Sequence, residues 1–383
     1  MKVLQLGKFY PPVNGGIETV TFDLTENLNR AGVPTDVLVA SPSRSSSVEQ
    51  NAYRIFRAGS YGTLFSTSLS IAYVRLLHKL RKSYDIITIH MPNPLAALAV
   101  FLVRPRARLV LLWHSDIIRQ KHLLMLFRPL ERWLLRRAGV VVGPTAAHVD
   151  TSDMSRFMYK RAVIPFSIDA DAFAADYNTD LYANLRKAYA DKLLVFGAGR
   201  LTYYKGFQYL IKAAAELNAD IQILIGGTGP EEERLRELIH NLDQNEHPNR
   251  TGRFKLLGRL SQRDLVACYR ACDVFCLPST HRSEMFGVVQ LEAMACGKPV
   301  ISTDIPRSGV PLVNRHAETG LIVPPGDIGA LKKALHSMQD SNFRTRLAER
   351  AYAYVRETYR PAIVTQQWRR LYADLMRSQD KGD

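Results

Sequence analysis

The chain has 383 residues, of which 46% are hydrophobic and 23% charged, and its formal net charge is +15. This composition is typical of a globular protein and excludes an intrinsically disordered or fibrous chain. The length exceeds what one ordinary hydrophobic core organises, so we expect two domains.

Short apolar or β-branched segments alternate with longer amphipathic segments along the whole chain. Predicted helices lie at residues 17–30, 207–217 and 231–239, among others. This alternation predicts an α/β protein with two doubly wound, Rossmann-like domains that face each other across a cleft. The predicted strands span residues 2–6, 35–40, 86–90, 109–113 and 140–143 in the first half, and 193–198, 221–226, 254–257, 274–277 and 299–302 in the second.

The boundary between the two sets of strands is expected between residues 164 and 173, where a strand-like segment meets Pro165 and a polar, acidic stretch follows. We therefore assign residues 1–166 to the first domain and residues 167–360 to the second. Residues 361–383 are predicted to form a C-terminal helix that begins at a proline and packs back towards the first domain.

The cysteines, all four between residues 268 and 296, are too few for a disulfide scaffold and favour a reducing compartment. Cys268 and Cys272 are one helical turn apart, but no C-x-x-C pair or nearby histidine pair completes a zinc site, so no metal is expected. The first apolar segment ends at Gly7, too early for a secretory signal, and the longest apolar run, 95–103, is about half a membrane span. We expect a cytoplasmic protein, attached at most to the inner face of the cytoplasmic membrane.

The positive charge is concentrated in the first half of the chain. Residues 1–170 contain 22 Lys and Arg against 11 Asp and Glu, whereas the remaining residues contain 29 against 25. The electrostatic field of such a positively charged half attracts nucleic acid, anionic lipid or an anionic acceptor. The alternative is a basic surface that serves only solubility. The basic, leucine-rich segment 117–137 has two interpretations, a helix lying on an anionic bilayer or an ordinary domain helix with snorkelling arginines.

Basic residues and glycines follow two predicted strands of the second domain. Arg200 and Lys205 come between the strand at 193–198 and a predicted helix, where two cations near a helix N-terminus can neutralise a leaving diphosphate. A basic surface loop would show the same pattern. Gly227 and Gly229 follow the next strand and would let the backbone approach a ligand closely, although a plain strand-to-helix turn would also use them.

Two glutamates form the most specific feature of the second domain. Glu284 lies at the entrance of a predicted helix and Glu292 two turns inside it. A carboxylate accepts pairs of hydrogen bonds such as the vicinal hydroxyls of a ribose or hexose can donate. The helix N-terminus at Phe286, Gly287 and Val288 offers amides to a phosphate. Apolar neighbours of Glu292 argue against an exposed helix face.

In this order, these motifs resemble the donor site of the large retaining glycosyltransferase family four, the glycosyl transferases group 1, whose fold is GT-B. The similarity includes residues 284–300 and 318–324 and extends to the first loop, with Gly15 and Gly16, so it covers most of the chain. Residues 113–116 and 282–284 are similar to bacterial mannosyl- and rhamnosyltransferases of surface-polysaccharide assembly.

The resemblance implies four catalytic residues. Arg200 and Lys205 would hold the donor diphosphate and stabilise its charge as the sugar leaves. Glu284 would contact hydroxyls of the transferred sugar, and His114 would lie near the reacting centre. The full donor-binding set implied by the resemblance is Gly15, Gly16, Arg200, Lys205, Gly227, Gly229, Glu284, Phe286, Gly287, Val288 and Glu292, with Glu292 at the ribose.

Two positions depart from the family pattern. Ser167 replaces the usual glycine of the linker, and Met285 is bulkier than the small residue expected beside Glu284, which would narrow the sugar pocket. Asp169 and Asp171 imitate a metal-binding D-x-D motif, but their position in the linker favours a loop.

The resemblance implies a retaining transfer without a metal or other cofactor, in which the leaving phosphate helps to deprotonate the acceptor. GDP-mannose is the first donor expected, and the acceptor is expected to be a lipid-linked or polysaccharide glycan of the bacterial cell surface. The N-terminal domain would bind the acceptor and the C-terminal domain the nucleotide-sugar, with an anionic membrane surface as a further partner.

Two other functions stay open on the sequence. An epimerase of the same fold would consume nucleotide-sugar without any acceptor. A basic nucleic-acid-binding protein is less favoured, because the chain has no zinc finger, aromatic RNA-binding signature or basic tail. A dehydrogenase is disfavoured because Gly7 opens the sequence GKFYP rather than G-x-G-x-x-G.

Overall fold

The computed structural model describes residues 1–13, 15–64, 67–115, 121–150, 160–217, 220–245 and 252–377. The chain forms two compact units. The first unit comprises Met1–Ser167 together with Pro361–Asp383, and the second comprises Ile168–Arg360.

The first unit is built on an eight-stranded sheet of order β10-β9-β8-β7-β1-β2-β4-β3, in which only β3 runs antiparallel to its neighbour. From β1 the chain moves out to one side and then returns to β7 on the other, so β1 and β7 flank the topological switch point. The strands are β1 (Val3–Leu6), β2 (Thr35–Ser41), β3 (Ser47–Gln50), β4 (Arg54–Gly59), β5 (Thr63–Leu64), β6 (Thr67–Ser68), β7 (Ile86–Met91), β8 (Arg108–Trp113), β9 (Val140–Gly143) and β10 (Arg161–Val163), of which β5 and β6 form a separate hairpin.

Two helices of the first unit, α2 and α3, begin at residues whose side chains cap them. Ser70 accepts a hydrogen bond from the Tyr73 amide, and Asn93 does the same for the Ala96 amide, with Pro94 at the first helical position. Their apolar faces pack on the sheet in one buried core. The helices are α1 (Gly16–Arg30), α2 (Ile71–Leu80), α3 (Pro94–Val103), α4 (Lys121–Arg137) and α5 (Ala146–Asp150).

The second unit has a six-stranded parallel sheet of order β13-β12-β11-β14-β15-β16. Its switch point lies between β11 and β14. The strands are β11 (Leu193–Ala198), β12 (Ile221–Gly226), β13 (Phe254–Gly258), β14 (Val274–Leu277), β15 (Val300–Thr303) and β16 (Gly320–Val323). The helices are α6 (Ala170–Ala175), α7 (Thr179–Ala188), α8 (Phe207–Ala215), α9 (Glu232–Asn245), α10 (Gln262–Ala271), α11 (Val288–Ala295), α12 (Val310–Val313), α13 (Ile328–Ser337) and α14 (Ser341–Thr358).

The last helix, α15 (Pro361–Arg377), belongs to the first unit and contacts α1. Trp368 and Tyr372 are buried there, and the Tyr372 hydroxyl lies 2.9 Å from Thr88 Oγ1 on β7. The helix is therefore anchored to the sheet by apolar burial and by a hydrogen bond.

The described part of α4 corrects one interpretation of the segment 117–137. Leu134 and Leu135 are fully buried in the core of the first unit, whereas Arg128, Arg132 and Arg136 are exposed. These leucines pack on the sheet because the helix must bury its apolar face there, so they are not available to a bilayer. Residues 116–120, including Asp116, lie outside the described residues. In the described ranges, no helix has both the length and the hydropathy of a membrane span.

Candidate functional site

The switch point of the second unit brings together two residues predicted from separate motifs. Lys205 follows β11 and Glu284 follows β14, and these strands are neighbours in the sheet. Lys205 Nζ lies 2.6 Å from Glu284 Oε2, and their side chains are only 10% and 12% exposed. Ser279 Oγ donates a hydrogen bond to the same carboxylate oxygen at 3.1 Å. The result is a nearly buried ion pair at the edge where ligands of open α/β sheets bind.

The backbone around Glu284 accepts hydrogen bonds from the loop that contains Ser308 and Gly309. Ser308 Oγ donates to the Glu284 carbonyl at 2.5 Å, and the Gly309 amide donates to the Met285 carbonyl at 2.7 Å. Met285 and Phe286 are themselves buried. These contacts hold the entrance of α11 in place, so the carboxylate of Glu284 is positioned before any ligand binds.

Glu292 lies inside α11 and has a partner on α10. The Tyr269 hydroxyl donates a hydrogen bond of 2.8 Å to Glu292 Oε2. Burial raises the pKa of the Glu292 carboxyl above its usual value, while the Tyr269 hydrogen bond and the charge of Lys205 oppose that rise. Burial also raises the pKa of Tyr269, which therefore keeps its proton and remains a donor.

The glycines after β12 are required by loop packing. A Cβ on Gly227, whose φ is +133°, would lie 1.9 Å from the Gly199 carbonyl oxygen. A Cβ on Gly229 would lie 2.3 Å from the Leu201 carbonyl oxygen. The loops after β11 and β12 can approach each other only because both positions lack a side chain. Contact of these glycines with a donor stays a prediction.

Arg200 and the N-terminus of α11 complete the set predicted for the second unit. Arg200 is exposed on the loop after β11, so its guanidinium can reach a ligand. Gly287 precedes α11 with a φ of +68°, Val288 is the first helical residue, and the first turn holds no acidic side chain. The backbone amides of a helix N-terminus favour an anion, and here the Glu284 carboxylate just before the helix is paired with Lys205.

In the first unit, His114 comes directly after β8 and is buried beside a second histidine. His114 Nε2 lies 2.9 Å from His90 Nδ1, and the Phe166 ring stacks on His114 with a centroid distance of 5.3 Å. Burial lowers the pKa of His90 to about 3, and burial together with the two neighbouring histidines lowers that of His114 well below its usual value. Both rings are therefore neutral near pH 7.

The glycine loop of the first unit leads into α1. Gly15 is the N-cap of α1 and Gly16 its first residue, so no side chain caps the helix at this position. Glu18 lies in the first turn, and a Cβ on Gly15 would clash with its carboxylate. Asn14 lies outside the described residues.

The D-x-D motif of Asp169 and Asp171 forms the start of helix α6, whereas the sequence favoured a loop at this position. Asp169 accepts a hydrogen bond from the Ala172 amide and caps α6, and Asp171 pairs with Arg356 at 3.3 Å. Ser167, in place of the family glycine, lies 3.4 Å from Asn27 Nδ2. Both carboxylates of the D-x-D motif thus have structural roles. In the described part of the chain, no three His, Cys, Asp or Glu side chains gather as a metal site would need.

Sequence reasoning missed the residues that support the site. Tyr269 is 23 positions from Glu292, and His90 is 24 positions from His114. No local spacing signals these contacts, because each depends on two different elements packing together. Glu284 and Lys205 were found because each belongs to a recognisable local motif.

Comparisons with known proteins identify the family to which the chain belongs. The family model described as Glycosyl transferases group 1 matches residues 183–354, and the model described as Glycosyltransferase Family 4 matches residues 14–171. The chain is 28% identical to the O-antigen chain mannosyltransferase C of Escherichia coli, over 99% of this chain and 100% of that protein. It is 32% identical to the D-rhamnosyltransferase WbpZ of Pseudomonas aeruginosa, over 88% of this chain and 86% of that protein.

A solved structure supports the fold. Sucrose-phosphate synthase from Thermosynechococcus elongatus superimposes with a TM-score of 0.78 at 21% sequence identity, covering 98% of this chain and 99% of that one. The predicted GT-B fold, with two Rossmann-like parallel-sheet domains, is confirmed.

Proposed function

This chain belongs to the group 1 glycosyltransferases and is a hexosyltransferase, and from that premise we propose that it transfers mannose from GDP-mannose with retention of configuration and without a metal. The acceptor in this proposal is a lipid-linked or polysaccharide glycan of the cell surface. The similarity to a mannosyltransferase and a rhamnosyltransferase supports this choice of sugar and pathway class.

The Lys205–Glu284 ion pair is the observation that carries the proposal. A donor diphosphate brings negative charge to the carboxyl ends of β11 and β14, where the Lys205 ammonium is already held. When Lys205 turns to a phosphate oxygen, the Glu284 carboxylate is released to accept hydrogen bonds from hydroxyls of the sugar. The pair therefore links binding of the diphosphate to binding of the sugar.

Two cations supply the electrostatic part of the reaction. Lys205 is nearly buried, where its charge is poorly screened, and Arg200 is exposed and can close on the diphosphate from the same loop. Together they can stabilise the charge that develops on the leaving group, a role that a metal ion fills in other enzymes. Metal independence rests on this pair of side chains.

The carboxylates of the donor side are assigned to binding. In the proposed donor complex Glu284 accepts hydrogen bonds from Ser279 and from sugar hydroxyls, and Glu292 accepts from Tyr269, so neither is assigned as a nucleophile. We therefore assign same-face attack. The bond between the anomeric carbon and the diphosphate oxygen breaks, the acceptor oxygen bonds to that carbon from the same side, and the acceptor proton passes to the leaving diphosphate.

An anionic membrane surface is the second partner in the proposal. In the first unit, three apolar side chains are exposed: Tyr61 just before the hairpin of β5 and β6 at 69%, Leu64 in the hairpin at 55%, and Ile71 at the start of α2 at 57%. Residues 61–84 contain four Lys or Arg and no Asp or Glu. Exposed apolar side chains beside an excess of positive charge are suited to the interface of an anionic bilayer.

A thermal-shift panel tests the donor site. GDP-mannose in EDTA is expected to raise the melting temperature of the wild type more than UDP-, ADP- or dTDP-sugars do, because a ligand stabilises the fold it binds. Lys205→Ala should lose this rise, whereas Lys332→Ala, which breaks an exposed pair with Glu216, should keep it. Stabilisation by another nucleotide class would refute the GDP assignment, and a strict need for a divalent cation would refute metal independence.

A further inference from the structure

A buried row of polar side chains lies behind His114 in the first unit. It consists of Gln5 on β1, His90 on β7 and His114 after β8, on three strands that are neighbours in the sheet. His90 Nε2 lies 3.0 Å from Gln5 Oε1, and His90 Nδ1 lies 2.9 Å from His114 Nε2. The side chains are buried, so water does not compete for these hydrogen bonds.

The protons of this row can be counted. In the structure the Gln5 amide is oriented with Oε1 towards His90, which leaves Gln5 Nε2 without a hydrogen-bond partner among the described residues. In this orientation Oε1 can only accept, so His90 Nε2 carries the proton that it receives. The buried His90 ring is neutral, and its Nδ1 is therefore a lone pair. Thr21 Oγ1 also lies 3.0 Å from this nitrogen, but it donates its hydrogen to the Ile17 carbonyl at 2.7 Å. The proton between the two rings therefore comes from His114 Nε2.

The orientation of the His114 ring is fixed as well. His90 lies edge to edge with His114 in nearly the same plane, with a centroid distance of 5.1 Å and an interplanar angle of 18°. Phe166 stacks on the His114 ring at 5.3 Å and 21°. The His114 amide donates to the Met91 carbonyl at 2.9 Å, which ties the end of β8 to β7. The ring plane of His114 and its backbone are thus held by different contacts.

We propose that Gln5 and His90 are positioning residues that hold His114 in its Nε2–H tautomer, so that Nδ1 of His114 is a hydrogen-bond acceptor for a hydroxyl group of a bound sugar. The hydroxyl partner rests on the proposed transferase function, whereas the tautomer does not. A neutral ring with a depressed pKa is a poor proton acceptor, so His114 orients this hydroxyl and leaves deprotonation to another group.

Nuclear magnetic resonance of protein labelled with [15N]histidine reads the tautomer directly. The expected spectrum shows a protonated Nε2 and an unprotonated Nδ1 for both His90 and His114, assigned by loss of their signals in His90→Asn and His114→Gln. A protonated Nδ1 on His114, or averaging between its two tautomers, would overturn the inference.

A matched pair of variants tests the consequence for turnover. His90→Asn keeps a polar atom close to the position of Nδ1, and His90→Leu is its apolar counterpart of similar shape. We expect His90→Leu to lower kcat roughly 10–100-fold with little change in donor KM, since loss of a supporting contact misorients a reacting group. His90→Asn should recover much of that loss. Equal losses in both variants, at matched thermal stability, would leave His90 a purely structural residue.

The nitrogen spectrum and the turnover of the His90 variants test the positioning role and the transferase function separately. The tautomer is read without donor or acceptor, so it is tested even if no transfer is found. A wild type that transfers sugar but carries the proton on His114 Nδ1 would refute only the positioning role of Gln5 and His90.

Discussion

Glu292 shows how a single contact can prepare a carboxylate for a ligand. Its Oε2 accepts a hydrogen bond from the buried Tyr269 hydroxyl at 2.8 Å. In the described part of the chain, no hydrogen bond to Oε1 is found, so this oxygen is left for a ribose hydroxyl in the proposed donor complex. Since hydrogen bonding to the charged form opposes the effect of burial, Tyr269 keeps the carboxylate a better acceptor than burial alone would allow.

Tyr269→Phe removes this hydrogen bond and keeps the ring. We expect the Kd for GDP to rise about tenfold, since a hydrogen bond to a charged group contributes about 1.5–3 kcal/mol, part of which water replaces. The effect should fall on donor KM more than on kcat, because the ribose contact is made equally before and during transfer. Calorimetric titration with GDP measures the Kd.

Tyr372→Phe is the matched control, because Tyr372 is also buried and both it and its hydroxyl partner Thr88 belong to the first unit, whereas Tyr269 belongs to the second. This control should bind GDP as the wild type does. An unchanged Kd in Tyr269→Phe would remove Tyr269 from the donor site.

Site residues could be predicted from the sequence where they belong to a local motif. Lys205, Glu284 and Glu292 stand in motifs whose spacing is visible in the chain. Tyr269 and His90 become relevant only when helices or strands from different segments pack together. The sequence also left two interpretations of Gly227, a close approach to a ligand or a plain turn. A Cβ at this position would lie 1.9 Å from the Gly199 carbonyl oxygen, so loop packing alone already requires a glycine there.

At the scale of elements, most buried strands were predicted, whereas β4 inside the first sheet and the edge strands β3 and β16 were not. β1, β7 and β11 are buried along their whole length because both of their faces are covered, and they are apolar except at Gln5, Thr88 and His90. β3 was missed because its residues, SVEQ, form an exposed antiparallel edge. The placement of β14 beside β11, which brings Glu284 to Lys205, follows from the crossover and not from any local pattern.

The exposed apolar hairpin allows a sharp test of membrane association. We expect the wild type to bind anionic vesicles and to bind neutral vesicles less well. Leu64→Ser combined with Ile71→Ser should lower the partition coefficient roughly tenfold or more, because two apolar side chains no longer enter the interface. Vesicle flotation at physiological salt measures it.

Leu312→Ser is the control for this experiment, since Leu312 is equally apolar and 49% exposed but lies in the second unit. It should leave vesicle binding unchanged. Equal loss in the control, or no binding by the wild type, would contradict the membrane surface proposed for residues 61–84.

At the scale of the whole molecule, the fold was predictable because each half of the chain alternates short apolar strands with amphipathic helices. This alternation is typical of a parallel sheet covered by helices. The uneven charge was also visible, with 22 basic against 11 acidic residues in positions 1–170. Donor and acceptor were not predictable to the same degree, because selectivity among nucleotide-sugars depends on a few side chains whose contacts no local sequence pattern specifies.

The transfer reaction itself is the most direct test of the account. Wild-type protein is incubated in EDTA with GDP-mannose labelled with 13C at the anomeric carbon and with lipid-linked glycan acceptors, and the product is examined by nuclear magnetic resonance. The account predicts a mannosylated product with the anomeric configuration of the donor, and a rate roughly 10²–10³ lower in Lys205→Ala, the usual cost of losing one partner of the developing charge. Inverted configuration, or near-full activity in Lys205→Ala, would contradict it.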